Sequence, residues 1–234
     1  MTALVNTFCN VVQKGTLRIF ADYEVDGRES VPPRGPVIIV ANHVSNFDPP
    51  LMSISFPRRV WFLAKKELFK GPGNWFFTKY GAYPVNRSGT DVAAYRWALD
   101  KLAHDQCLMV FPEGTRSPSG GMRKAQPGVV RLAMKSQATI VPVGITGTEN
   151  LKSELRVFYP TGRLRVNIGR PFTLPGIEGK PSTAVLQSMT DMIMNRIAVL
   201  LPQEYHGVYR FASKTAKRGA ESEDSIEIPA TPRR

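Results

Sequence analysis

Short runs of apolar residues recur along the chain, separated by stretches whose apolar positions return every three or four residues. Val37-Ile38-Ile39-Val40-Ala41 is all apolar, mostly β-branched and bounded by Pro36, and so predicts a strand buried on both faces. Similar runs lie at Val60 to Ala64, Cys107 to Phe111 and Thr139 to Ile145, with a more alternating one at Leu164 to Ile168. Helical periodicity falls between them. Residues 91–104 bring Val92, Tyr95, Leu99 and Leu102 to one face, and Pro127 can open a helix that runs to Lys135. Residues 183–201 group Val185, Leu186, Met189, Met192, Ile193, Ile197 and Leu200 behind a Ser182 cap. Alternating strands and helices predict a single layered α/β domain with a largely parallel or mixed central sheet flanked by helices.

The two ends read differently. Leu4, Phe8, Val11, Val12 and Ile19 recur near helical spacing and predict an N-terminal amphipathic helix. That helix admits two readings, one packed on the core and one dipping into a bilayer interface. From about residue 212, Lys, Arg, Glu, Ser and Pro dominate, a composition that predicts disorder. The division expected is a helix and connector over 1–30, a folded domain over 31–211 and a tail over 212–234. No repeat of fixed period is visible.

Composition narrows the partners. With 42% hydrophobic residues the chain can bury a sizeable core. The formal charge is +12, and +10 of it falls within residues 1–208, so the folded part itself favours polyanions. Candidates are nucleic acid, an anionic membrane face, or a phosphorylated or CoA-bearing substrate. Cys9 and Cys107 lie far apart without metal or redox spacing, which fits a reducing compartment. There is no secretory signal pattern and no run of roughly 18 apolar residues. Membrane contact is therefore expected to be peripheral or monotopic, on the cytoplasmic face.

Two polar clusters follow apolar strands directly, where ligands gather in open α/β sheets. The first is Asn42-His43-Val44-Ser45-Asn46-Phe47-Asp48. An imidazole can take up and return a proton near neutral pH, and a carboxylate on its far nitrogen fixes the tautomer. Five residues suit a turn entering a helix, since that spacing along a regular helix would point the two groups apart. A single histidine after a strand is also compatible with a structural role. A zinc site is not expected, because His104 and His206 lie in unrelated contexts and no ligand spacing is present; His104 reads instead as a helix-end residue. The second cluster, Pro112-Glu113-Gly114-Thr115-Arg116-Ser117, joins an acid, a flexible glycine, a hydroxyl and a guanidinium suited to phosphate. Alone, it reads equally well as a turn closed by a Glu113–Arg116 pair. It is not a Walker A loop.

Together these clusters resemble the glycerolipid acyltransferase superfamily, especially bacterial 1-acyl-glycerol-3-phosphate acyltransferases, known by an HxxxxD motif followed by FPEGTRS. Gly81-Ala82-Tyr83-Pro84-Val85-Asn86-Arg87 between them and Val141-Pro142-Val143-Gly144-Ile145 after them are similar to two further family blocks. The resemblance spans roughly residues 35–170. It implies acyl transfer from acyl-CoA or acyl carrier protein to a lysophospholipid, without a metal or other cofactor. His43 and Asp48 would be catalytic, Arg87 and Arg116 would grip phosphate, and Glu113, Gly114 and Thr115 would shape the pocket. One position departs: the family usually has an acid where this chain has Asn86. Sibling enzymes acting on glycerol 3-phosphate or another lysophospholipid share the pattern.

Between residues 61 and 83 lie eight aromatics, and residues 58–87 carry seven Lys or Arg against one Glu. Rings mixed with long cations suit a bilayer interface or the wall of an acyl tunnel. Phe69, Trp75, Phe76 and Phe77 are the candidates for that contact, whereas Trp61 and Phe62 read as core. Such a mixture also stacks single-stranded bases, but no RNA-binding motif accompanies it, and nucleic acid is not an expected partner.

Overall fold

The computed structural model describes residues 2–86, 89, 91–117, 119–151, 156, 158–176, 179 and 181–210. Arg87 and the tail at 212–234 lie outside the described residues. In chain order the elements are α1 (Thr2–Phe20), β1 (Ala21–Asp26), β2 (Val37–Ala41), α2 (Asp48–Ser55), β3 (Val60–Lys65), α3 (Pro72–Tyr80), β4 (Ala82–Val85), α4 (Val92–Ala103), β5 (Cys107–Val110), α5 (Gly128–Ser136), β6 (Thr139–Thr146), β7 (Gly162–Ile168) and α6 (Thr183–Ala198).

The strands form one sheet in the order β1-β7-β6-β2-β5-β3-β4. Strands β2 to β6 run parallel, while β7 pairs antiparallel with β6 and carries β1 beside it. The sheet is therefore mixed, as the sequence pattern predicts. Alternation along β2 sends Val37, Ile39 and Ala41 to one face and Ile38 and Val40 to the other, into two separate apolar clusters. Helices α1, α2 and α3 cover the first cluster, and α4, α5 and α6 cover the second. Both faces of β2 are thus sealed, which is why its sequence is a continuous apolar run.

Two helix faces differ from their periodicity. In α4 the buried stripe is Ala94, Ala98 and Leu102, and Val92 is exposed. Small alanines supply this contact surface, and they carry a weak apolar signal in a sequence. In α6 the buried stripe includes Thr190, whose hydroxyl donates to the Leu186 carbonyl at 2.7 Å, while Val185 lies at the exposed edge. The Ser182 cap is present, accepting from the Val185 N–H.

Helix α1 is amphipathic in an unexpected sense. Its core-facing residues are Asn6, Gln13 and Leu17, and its apolar positions Leu4, Phe8, Val11, Val12 and Ile19 point outward. Asn6 donates to the Tyr80 carbonyl at 2.8 Å, and Asn10 accepts from Ser53 and from the Tyr80 hydroxyl, both at 3.2 Å. Polar side chains thus fasten α1 to α2 and α3, and a greasy face is left uncovered. The helix packs on the domain core, as one of its two readings has it, but through Asn6, Gln13 and Leu17 and not through its apolar positions. No helix among the described residues is long and apolar enough to cross a membrane.

Candidate active site

Strands β5, β2 and β6 are adjacent and parallel, so the segments leaving their carboxyl ends must lie side by side. Those segments are Asn42 to Asp48, Phe111 to Ser117 and Gly147 to Asn150. The chain runs from β2 outward in both directions of the sheet, and such a switch point is where open α/β sheets open a crevice.

Asn42 ends β2 by bridging to β6. Its amide donates to the Ile145 carbonyl at 2.9 Å and accepts from the Ile145 N–H at 2.8 Å. The next residue turns toward the crevice, and His43 Nδ1 meets Asp48 Oδ2 at 2.8 Å. The intervening loop closes because that same oxygen accepts from the backbone N–H groups of Val44 at 2.8 Å and Ser45 at 2.9 Å. Asp48 opens α2 and is followed by two prolines, which suit a first helical turn. The five-residue spacing is therefore a turn into a helix, as expected. Asp48 is fully buried, and a carboxylate there is tolerable only when its lone pairs are filled. Its other oxygen, Oδ1, accepts from the Thr148 hydroxyl at 2.6 Å.

The imidazole is also held by its face. The Phe111 ring stacks on it with centroids 4.0 Å apart and planes 15° from parallel. With Nδ1–H donated to the carboxylate, Nε2 remains as the proton acceptor.

The loop after β5 supports the histidine from behind. Glu113 is buried, and its Oε1 accepts from the His43 N–H at 3.0 Å while Oε2 accepts from the Arg123 N–H at 2.8 Å. The Glu113–Arg116 pairing that the loop alone allows is not formed, because both carboxylate oxygens are turned onto backbone. Burial pushes the Glu113 carboxyl up to about 7, partly opposed by the two backbone donors. Ser117 N–H donates to the His43 carbonyl at 2.8 Å, so both backbone polar groups of His43 belong to this loop. Between those anchors, Gly114 at φ 69° turns the chain outward, and Gly114 and Arg116 are exposed with Thr115 half-buried.

Of the other candidates, Phe69 and Phe77 are half-buried against the core and touch each other at 5.7 Å between centroids. Trp75 and Phe76 are exposed, the former by 56%. The expected contact set of four is thus two outward rings backed by two core-facing ones. Trp61 and Phe62 pack inward, as expected. Asn86 is exposed, with its N–H held by the Asp91 carboxylate at 2.9 Å. His104 caps the end of α4, its Nδ1 on the Asp100 carbonyl at 2.8 Å.

Sequence reasoning assigned no part to Asn42, Phe111 or Thr148. A usable signal existed for the last: Gly147-Thr148 is a glycine and a hydroxyl directly after a third buried strand. Gly147 adopts φ 88° with its α-carbon against the Arg163 backbone, where a side chain would not fit. That turn delivers Thr148 to Asp48.

The acyltransferase family model matches residues 22–146, and the chain belongs to that family. It is 26% identical over 197 residues to the 1-acyl-sn-glycerol-3-phosphate acyltransferase of Bacillus subtilis, covering 82% of this chain and 95% of that enzyme. It is 30% identical over 171 residues to 1-acyl-sn-glycerol-3-phosphate acyltransferase alpha of Mus musculus, covering 71% of this chain and 60% of that one. The crystal structure of the 1-acyl-sn-glycerophosphate (LPA) acyltransferase PlsC from Thermotoga maritima superposes with a TM-score of 0.63 at 30% identity, covering 82% of this chain and 78% of that one.

Proposed function

We propose that the chain transfers a fatty acyl group from a thioester to the free hydroxyl of 1-acyl-sn-glycerol 3-phosphate, giving phosphatidic acid for phospholipid synthesis. The observation that carries the reading is the buried His43–Asp48 pair at 2.8 Å, which commits Nδ1 and leaves Nε2 as the base. Nε2 takes the hydroxyl proton as that oxygen attacks the thioester carbonyl carbon. The tetrahedral intermediate collapses, the C–S bond breaks, and the new ester C–O bond remains. The departing thiolate takes the proton back from Nε2–H, which restores the base. Asp48 stabilises the transient imidazolium and fixes its tautomer without changing its own protonation.

Arg116, exposed at the mouth of the loop after β5, and Arg87 supply the guanidinium groups for the acceptor phosphate. The donor is acyl-CoA or acyl carrier protein. The acceptor is a membrane lipid, and the outward face of α1 with Trp75 and Phe76 suits contact with an anionic bilayer. Lys66, Lys70 and Lys79 lie within or beside α3 and complement lipid phosphates. On this reading the protein acts as a peripheral or monotopic protein at the cytoplasmic surface.

One assay tests this reading. Lysophosphatidic acid is supplied with acyl-CoA and with acyl carrier protein thioester in parallel, using wild-type protein and a folded His43→Ala variant. Phosphatidic acid formed by wild type and lost in the variant is the expected result. A variant with wild-type activity would remove His43 from the mechanism.

A further inference from the structure

Three of the four hydrogen bonds on the Asp48 carboxylate come from its own loop: His43 Nδ1, Val44 N–H and Ser45 N–H all converge on Oδ2. They travel with the loop, so together they hold the carboxylate only relative to that loop. The fourth bond differs in origin. Thr148 lies 100 residues away, beyond the carboxyl end of β6, and donates to Oδ1 at 2.6 Å. Among the described residues it is the one donor on that oxygen. Thr148 is itself fully buried, so the bond is made without competing water. Its position is enforced from several sides: the positive φ of Gly147 sets the turn, and the Leu151 N–H closes on the Thr148 carbonyl at 3.0 Å. Asn42 clamps the same end of β6 to β2 through Ile145.

From this arrangement we infer that Thr148 is a positioning residue for acyl transfer, the third member of a relay from Thr148 through Asp48 to His43. The inference rests on the assignment of His43 as the base. The hydroxyl ties the carboxylate, and with it the loop that Oδ2 organises, to the end of β6. Because Oδ2 holds Nδ1–H, that anchor helps set where Nε2 faces the crevice. In metal sites, groups that orient a ligating histidine at one remove change affinity or activity on the order of 10- to 100-fold when removed, and the same scale is taken for a histidine base. A hydroxyl that merely filled a buried lone pair would affect stability and leave turnover of the folded protein alone.

The test uses the full chain with lysophosphatidic acid and whichever thioester supports the wild-type rate. Thr148→Val keeps the shape and deletes the donor; Thr148→Ser keeps the donor. The expected result is a kcat about 10- to 100-fold lower for the valine variant, with KM for both substrates within about twofold. The serine variant is expected within about threefold of wild type. In an Asp48→Asn background, Thr148→Val is expected to cause no further loss, because the hydroxyl acts only through that carboxylate. Thr148→Ala serves in the same assays if the valine chain does not fold. Unchanged kcat on deletion, a serine variant as impaired as valine, or an additional loss beside Asp48→Asn each overturns the inference. A wild-type rate that survives His43→Ala instead defeats the reading beneath it, so the two failures are separable.

Discussion

Glu113 Oε1 accepts the backbone N–H of His43 at 3.0 Å, although their side chains share no hydrogen bond. The acid of the second motif thus holds the main chain of the first, and its other oxygen holds Arg123 N–H at 2.8 Å. Motifs 70 residues apart are joined at a single carboxylate. A glutamine has one accepting oxygen where this bracket needs two, and its NH2 would face an N–H. Glu113→Gln is expected to lower stability by about 1–3 kcal/mol, read as a fall in Tm.

The same carboxyl gives stability a direction with pH. Its pKa rises from 4.5 to about 7 on folding, so the folded state holds the proton more tightly. The contribution from this group is therefore fully present below pH 4.5 and is lost as pH rises through about 7. The Tm gap between wild type and Glu113→Gln is expected to narrow over that window. A gap that stays constant from pH 4 to pH 8 would show that Glu113 does not titrate there.

Asp48→Asn preserves shape and tests chemistry. The carboxylate receives four donors, three of them on Oδ2, and an amide cannot accept on its nitrogen. The loop from 43 to 45 loses its organising acceptor or the imidazole loses its tautomer control. The expected outcome is a loss in kcat on the order of a thousandfold, with phosphatidic acid formation as the readout.

Much of this was legible in the chain itself, for identifiable reasons. β2, β5 and β6 are buried on both faces, so each is an apolar run that ends abruptly at a polar cluster. β1 escaped because its buried pattern alternates with Asp22, Glu24 and Asp26, a charged edge strand rather than an apolar one. α3 escaped because Gly71 caps it, Pro72 and Gly73 make up its start, and its rings face both inward and outward. His43 and Asp48 are neighbours in sequence, so their spacing could be judged locally. The dependence of Asp48 on Thr148 and of His43 on Glu113 crosses strands, and only the sheet order β6-β2-β5 brings those residues together.

Asn42 illustrates how that sheet order is held. Its buried amide satisfies both backbone groups of Ile145, the carbonyl at 2.9 Å and the N–H at 2.8 Å. Asn42→Ala would orphan both at once in a site closed to water. The expected loss is about 2–6 kcal/mol, from roughly 1–3 kcal/mol for each unsatisfied buried group. Thermal denaturation measures it, and a Tm equal to that of wild type would mean the strand ends find other partners.

The outward face of α1 makes a separate claim. Phe8 is 70% exposed and Trp75 is 56% exposed, on helices that pack against each other. Neither ring is buried in the core, so replacing them with Glu should move stability by only about 0.5 kcal/mol. Apolar burial in a bilayer is worth roughly 1.5–3 kcal/mol for a large side chain, and an added acid also meets like charge on an anionic surface. The double variant Phe8→Glu, Trp75→Glu is therefore expected to keep its Tm and to leave anionic vesicles, as read by co-sedimentation. Vesicles of neutral lipid, run alongside, separate the apolar contribution from that of the basic residues around α3. Undiminished sedimentation of the double variant with both vesicle types would show that this face is not the one that meets lipid.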